Sequence, residues 1–306
     1  MSGINEGRVV VVTGAARGIG REHALAFAAS GAKVVVNDIG AGLDGSATGE
    51  SPGEQVVAEI VASGGEAVVN GADVADWEGA RSLVTTAVEE FGALDVLVNN
   101  AGFLRDKMLV SMSESDWDDV VRVHLKGHFA TLRHAAEYWR AQSKAGSPRQ
   151  ARVVNTSSGA GLYGSVGQGN YAAAKAAIAE LTIQAAAEMK GYGITVNAIA
   201  PSARTRMTTS AGDAMAAQMA APDDGSFDTM DPANVSPLVV WLGSPGSGDV
   251  TGRVFEVEGG RISVTDGWQR SAARDKGARW DPAELGPVVA DILGEAPAPF
   301  PVYGAR

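Results

Sequence analysis

The stretch "VVVVTGAARGIGREHALAF" (residues 9–27) decides the reading of the fold. Four valines and a threonine suit a buried strand, a glycine-rich turn follows at once, and an alanine-rich run of helical period comes after it. Gly14, Gly18 and Gly20 let the backbone of such a turn approach a pyrophosphate closely, with Ile19 between the last two. The N-terminus of the following helix adds free N–H groups and the positive end of a dipole. A glycine pattern alone could serve merely as a tight turn, but a strand before it and a helix after it are what a nucleotide site requires. The stretch therefore predicts nucleotide binding at this turn.

Working outward, further short apolar runs alternate with longer helical patterns. They are "KVVVND" (33–38), "EAVVN" (66–70), "LDVLVN" (94–99), "ARVVNTS" (151–157), "GITVNAI" (193–199) and "RVFEVE" (253–258). None alternates polar with apolar, which marks strands covered on both faces by crossover helices. The segments between them, such as "WEGARSLVTTAVEEFG", carry helical periodicity and end in glycine. The expectation is one α/β domain over 1–264, doubly wound about a parallel sheet of about seven strands, with an extension over 265–306 that packs on the body or on a partner subunit. Two polar stretches, 40–53 and 140–152, read as surface insertions.

The chain has 306 residues, a net charge of −11, 45% hydrophobic residues and no cysteine. That excludes disulfides, thiolate nucleophiles and Cys-ligated metals, and the acidity argues against nucleic acid or an anionic membrane as a partner. The four histidines are scattered; His124 and His128 form an i,i+4 pair, but nothing like HExxH surrounds them, so no metal is expected. With no leader, membrane span or lipidation motif, a cytoplasmic location is the default expectation.

Two further features carry chemistry. Asp38 closes the second strand, where a carboxylate accepts ribose hydroxyls and repels a 2′-phosphate; this favours NAD over NADP, although Arg17 in the glycine turn argues the other way. In "GQGNYAAAKAA" (167–177), Tyr171 and Lys175 stand one helical turn apart on one face, so they can act on one point.

Together "TGAARGIG" (13–20), "DV" (73–74), "NNAG" (99–102), Ser158, "YAAAK" (171–175) and "NAIAP" (197–201) resemble the short-chain dehydrogenase/reductase family, in the family's order and over residues 8–260. The resemblance implies a Rossmann-type fold with Ser158, Tyr171 and Lys175 as catalytic residues, Tyr171 being the general base. Strand alternation and the family spacing select Ser158 over Ser157. It further implies a coenzyme cleft lined by Gly14, Arg17, Gly18, Ile19, Gly20, Asp38, Asp73, Val74, Asn99, Ala101, Gly102, Tyr171, Lys175 and Pro201. His124 stands where most members carry an asparagine linked through water to the lysine, and a histidine can keep such a relay.

Within the family, "VVVNDIG" (34–40), "NNAGFLRDKM" (99–108), "WDDVVRVHLKGHF" (117–129) and "APSARTRMT" (200–208) are similar to the (3R)-hydroxyacyl-CoA dehydrogenase unit of multifunctional enzyme type 2, also known as 17β-hydroxysteroid dehydrogenase type 4. This implies oxidation of a (3R)-3-hydroxyacyl thioester of coenzyme A by a stand-alone enzyme lacking the other domains of that protein. A hydroxysteroid or other secondary-alcohol dehydrogenase is the second expectation, and an NAD-sensing protein without turnover a distant third. Arg105, Lys107, Arg204, Arg206, Arg270, Arg274, Lys276 and Arg279 are candidate phosphate contacts, and 203–230 reads as a methionine-rich lid. Small residues on the helix of Tyr171 fit the family's helix-bundle homodimer.

Overall fold

The structure is a computed structural model that describes residues 3–40, 52–209, 217, 219–265 and 267–305. Most of the expected loop 40–53 and the middle of the expected lid, residues 210–216 and 218, lie outside the described residues. Eight strands form one sheet in the order β3-β2-β1-β4-β5-β6-β7-β8. They are β1 (Val9–Thr13), β2 (Lys33–Asn37), β3 (Glu66–Asn70), β4 (Val96–Asn99), β5 (Arg152–Thr156), β6 (Thr195–Ser202), β7 (Val254–Glu258) and β8 (Arg261–Thr265). The first seven pair in parallel. The order reverses direction at β1, so the crevice between the carboxyl ends of β1 and β4 is the switch point at which ligands of such sheets bind.

The expectation of a doubly wound α/β fold is met, with one addition. β8 pairs antiparallel with β7 across Gly259 and Gly260, Glu258 lying opposite Arg261. Gly259 takes φ +53°, a conformation that suits glycine in a two-residue hairpin. The expectation that strands are covered on both faces also needs correction at β3. Glu66 and Val69 are exposed there, because β3 is an edge strand with a neighbour on one side only.

Strand alternation sorts the valines of β1 into two cores. Val10 and Val12 join Phe27 of α1 (Gly18–Ala29), Ile60 of α2 (Pro52–Ala62) and Val239 of the helix Ser236–Leu242. Val9 and Val11 join Leu83 of α3 (Trp77–Phe91), Trp139 of α5 (Gly127–Lys144) and Ala185 of α7 (Gly169–Met189). Period-two side chains thus glue one helical layer to each face of the sheet. The Trp139 indole donates to the Leu94 carbonyl at 2.7 Å, which satisfies its only polar atom inside this core.

Between α4 (Glu114–Val121) and α5 the chain winds as a π segment, Arg122–Lys126. α4 itself is closed by a capping box between Ser113 and Asp116. The extra residue in the π segment rotates the helix locally, and His124 is buried at its centre. The extension beyond β8 holds the helix Leu285–Glu295, none of whose residues is buried, and then returns to the body at Phe300–Tyr303. Among the described residues no helix is long and apolar enough to cross a membrane.

Candidate active site

The glycine turn shows why each glycine stands where it does. Gly14 takes φ +61° and Gly18 φ +54°. A Cβ on Gly14 would lie 2.8 Å from Ala101 Cα, and one on Gly20 would lie 2.2 Å from the Gly14 carbonyl oxygen. The turn is therefore pressed against the end of β4 and against its own helix, as a close backbone approach demands. Helix α1 begins at this turn with no side-chain cap and no acidic residue in its first turn, whereas α3 is capped by Asp76. Its N–H groups and dipole end are thus left to a ligand. Ile19 packs on the core behind the turn.

Asp38 follows β2 and its carboxylate accepts from Ala16 N–H at 3.1 Å and Gly40 N–H at 2.8 Å. Each oxygen keeps a lone pair for a further donor such as a ribose hydroxyl. Beside it opens a cavity of about 500 Å³ bordered by Arg17, Gly18, Arg204, Thr205 and Arg206. The shaped glycine cradle, the uncapped helix and this carboxylate fit a dinucleotide.

The other expected cleft residues fall at the carboxyl edge with differing degrees of freedom. Ala101 N–H donates to Thr13 Oγ1 at 3.1 Å. The Asn99 side chain is committed to the sheet, donating to Asn155 and accepting from Thr131 at 2.7 Å. Asp73 is held by Arg122 at 2.7 Å and by Ala75 N–H at 2.8 Å. Val74 packs into the core, where a Cβ on Gly127 would touch it at 2.9 Å. Pro201 sits near the end of β6, beside Val257.

On the other side of the crevice, β5 ends at Thr156 and the next two serines diverge. Ser157 is buried and donates to the Lys175 carbonyl at 2.9 Å, a link between strand and helix. Ser158 caps the five-residue helix α6 (Gly159–Tyr163), accepting from Ala160 N–H at 3.2 Å, and its hydroxyl lies close enough to Tyr171 to favour the phenolate. Lys175 is buried, and its Nζ donates to the Thr156 carbonyl at 2.6 Å while lying 5.5 Å from the centroid of the Tyr171 ring. The fold thus brings Ser158, Tyr171 and Lys175 together.

Burial pulls the Lys175 ammonium down to about 7. It pushes the Tyr171 phenol up, a rise opposed by the Ser158 hydroxyl and reinforced by the charge of Asp106. An ammonium beside a phenol favours the phenol's anionic form, so Lys175 can ease the loss of the Tyr171 proton.

His124 completes the group. Its ring meets Tyr171 edge-on, with centroids 5.2 Å apart. Nε2 lies 2.7 Å from the Phe103 carbonyl and 3.1 Å from Phe103 N–H, and Nδ1 has no protein partner among the described residues. Burial first, then the Lys175 charge, lower its pKa to about 3, so the ring is neutral at physiological pH. Gly102 exists for this ring: a Cβ there would lie 2.1 Å from His124 Cε1.

Several contributors were missed by sequence reasoning. Asp106 accepts from Gln168 at 3.0 Å, Asn170 donates to the Arg105 carbonyl at 3.1 Å, and Lys107 N–H donates to Gly167 at 2.8 Å. These bonds fasten the loop after β4 to the start of α7, just before Tyr171. His128, dismissed as half of a metal pair, accepts from Thr156 N–H at 3.4 Å and so supports the residue whose carbonyl holds Lys175. Of the expected phosphate contacts, Arg204 pairs with Asp228, Arg274 with Asp291 and Glu295, and Lys276 with Glu284.

A hydroxyacyl-CoA dehydrogenase ChsB1 of Mycobacterium tuberculosis is 44% identical over 94% of this chain and 89% of its own length. The peroxisomal multifunctional enzyme type 2 of Mus musculus is 42% identical over 87% of this chain, which spans only 33% of that protein. The crystal structure of a short chain dehydrogenase from Mycobacterium avium superposes with a TM-score of 0.89 at 63% identity, covering 99% of this chain and 100% of that one. The short chain dehydrogenase family model matches residues 8–216. With that match laid over the glycine turn and the Ser158, Tyr171 and Lys175 cluster, this chain belongs to the short-chain dehydrogenase family of NAD(P)-linked oxidoreductases acting on CH–OH groups.

Proposed function

We propose that this protein oxidises the secondary alcohol of a (3R)-3-hydroxyacyl-CoA to the 3-ketoacyl-CoA, with NAD as coenzyme. The observation that carries the substrate class is the likeness, over nearly the whole chain, to a protein named for hydroxyacyl-CoA dehydrogenation. The Asp38 carboxylate supports NAD over NADP. Gly14, Gly18, Gly20 and the N-terminus of α1 hold the diphosphate, and Ala101, Gly102 and Pro201 border the nicotinamide half. Bound there, the dinucleotide would supply the hydride acceptor.

The chain's own residues handle the proton. Tyr171 takes it from the substrate hydroxyl while Ser158 donates a hydrogen bond to the same oxygen and fixes its direction. Lys175 favours the phenolate electrostatically and is itself held by the Thr156 carbonyl. The neutral His124 ring backs the phenol and keeps Nδ1 for a proton relay through water. We further read the active form as a homodimer in the cytoplasm, which the small residues of α7 support.

The test is NADH formation by purified protein with (3R)- and (3S)-3-hydroxyacyl-CoA in parallel. Turnover confined to the (3R) series supports the assignment. Oxidation of a free steroid or simple alcohol, with neither thioester used, would move the protein to the second expectation.

A further inference from the structure

The segment from β5 to α7 carries Ser158 at its start and Tyr171 just past its end, and the far C-terminus of the chain lies along its outer side. Phe300 stacks on Tyr163 with centroids 4.4 Å apart and planes 26° from parallel. Tyr303 meets the same ring edge-on at 5.9 Å. The backbones pair too: Val166 N–H donates to the Tyr303 carbonyl at 2.9 Å, and Tyr303 N–H donates to the Gly164 carbonyl at 3.2 Å. Tyr163 is itself moored to the sheet, its hydroxyl donating to Glu256 on β7 at 2.9 Å.

Contact with the tail reaches the neighbour of Ser158. A Cβ on Gly159 would lie 2.8 Å from the Tyr303 hydroxyl, and one on Gly164 would lie 3.2 Å from Val302. On the inner side, a Cβ on Gly161 would lie 2.6 Å from the Ala176 backbone nitrogen of α7. Helix α6, of which Ser158 is the N-cap, is therefore held between α7 and the tail. Five residues with two glycines make too short a helix to stand unaided, so its orientation comes from what grips it. The direction of the Ser158 hydroxyl follows the orientation of α6.

We propose that Phe300 and Tyr303 act as a clamp that positions Ser158 from the outer side of α6, so that the reaction depends on residues at the other end of the chain. They are positioning residues, since they act on the serine through α6. The proposal rests on the reading of Ser158 as the group that orients the substrate oxygen.

The experiment compares full-length wild type with Phe300→Ala, Tyr303→Ala, the double variant and Tyr303→Phe. Three quantities are read: hydrogen–deuterium exchange across 158–168, NADH binding by fluorescence titration, and turnover on whichever hydroxy substrate the wild type oxidises. The double variant is expected to exchange faster at 158–168 only, to bind NADH within about twofold of wild type, and to lose about tenfold or more in kcat. Tyr303→Phe keeps the ring and the backbone pairing but loses the hydroxyl that lies against Gly159, and is expected to fall between wild type and Tyr303→Ala. Unchanged exchange at 158–168 with unchanged kcat would overturn the clamp. So would faster exchange over the whole sheet in every alanine variant, because the tail would then hold the fold and not the serine. The exchange arm needs no substrate, so a wild type that ignores 3-hydroxyacyl-CoA sinks the substrate assignment while the clamp is still decided.

Discussion

The Lys175 ammonium donates to the carbonyl oxygen of Thr156 across 2.6 Å, joining the helix that carries Tyr171 to the strand that leads to Ser158. One buried hydrogen bond thus sets the separation of the two sides of the crevice. It also shows what the lysine costs: burial takes its pKa down to about 7, and the Thr156 carbonyl is the acceptor that the buried ammonium finds.

Lys175→Met removes the bond and the charge while keeping the stem. The phenolate of Tyr171 then loses its stabilising cation, its pKa rises, and the pH above which kcat reaches its plateau moves up. At neutral pH kcat is expected to fall by about 10² to 10⁴. A kcat–pH profile of both proteins checks this, and an unshifted profile would show that the lysine does not act on the phenol.

Asp106 exerts the opposite pull, since its charge raises the Tyr171 pKa. Asp106→Asn keeps an acceptor for Gln168 and removes the charge, so the same limb of the kcat profile is expected to move to lower pH. The direction matters more than the size. A shift upward would mean that the carboxylate acts by tethering the loop through Gln168 and not through its field.

The i,i+4 pair of Tyr171 and Lys175 was legible in the sequence because helical period alone puts the two on one face, whereas choosing Ser158 over Ser157 needed the family spacing beside strand alternation. The glycine turn was legible for the same reason as that pair: its chemistry is local. What escaped reading depends on contacts between distant segments. Nothing in "NNAG" announces that Gly102 must admit the His124 ring, nor does "NTSS" reveal that the Thr156 carbonyl is a lysine's partner. The π segment that buries His124 leaves no periodic signature, being one extra residue inside a helix. β3 looked like its neighbours because an apolar run does not say which strand ends up at an edge. The β7–β8 hairpin had its signal in Gly259 and Gly260 and was overlooked beside the longer parallel runs.

Gly102 and His124 form a complementary pair that mutation can separate. Gly102→Ala places a methyl where the imidazole stands and is expected to destabilise the fold by about 1–3 kcal/mol, with loss of activity as the ring moves off Tyr171. Adding His124→Asn shortens the side chain, so the double variant should recover stability relative to the sum of the singles. Denaturant titrations of the four proteins give the coupling; additive losses would show that the glycine is needed for its backbone alone.

His23 and His124 are both buried, with pKa values lowered to about 3, and His128 is lowered well below its usual range. In the unfolded chain these rings take up protons as pH falls below about 6.5, while in the fold they do not. Stability contributed by the neutral rings is therefore intact above that pH and is lost as pH drops toward 3, at about 1.4 kcal/mol per pH unit for each histidine. His23→Gln removes one such group, away from the crevice and beside Ser236. Its unfolding free energy, measured at several pH values in this window, should fall less steeply than that of wild type by the share of one proton.

Coenzyme choice at this site turns on charge. Asp38 accepts from the N–H of Ala16, at the border of a cavity lined by Arg17 and Arg206, so its carboxylate opposes a 2′-phosphate there while the arginines favour one. Asp38→Asn keeps an oxygen to accept from Ala16 or Gly40 and loses the repulsion. The ratio of kcat/KM for NADP to that for NAD is expected to rise by about tenfold to a hundredfold, or about 1.4–2.8 kcal/mol in relative transition-state binding. The gain should shrink on adding Arg206→Ala, because the phosphate would then lose a cation that the cavity wall supplies. An unchanged ratio in Asp38→Asn would mean that the ribose is held elsewhere and that Asp38 serves only to close its turn.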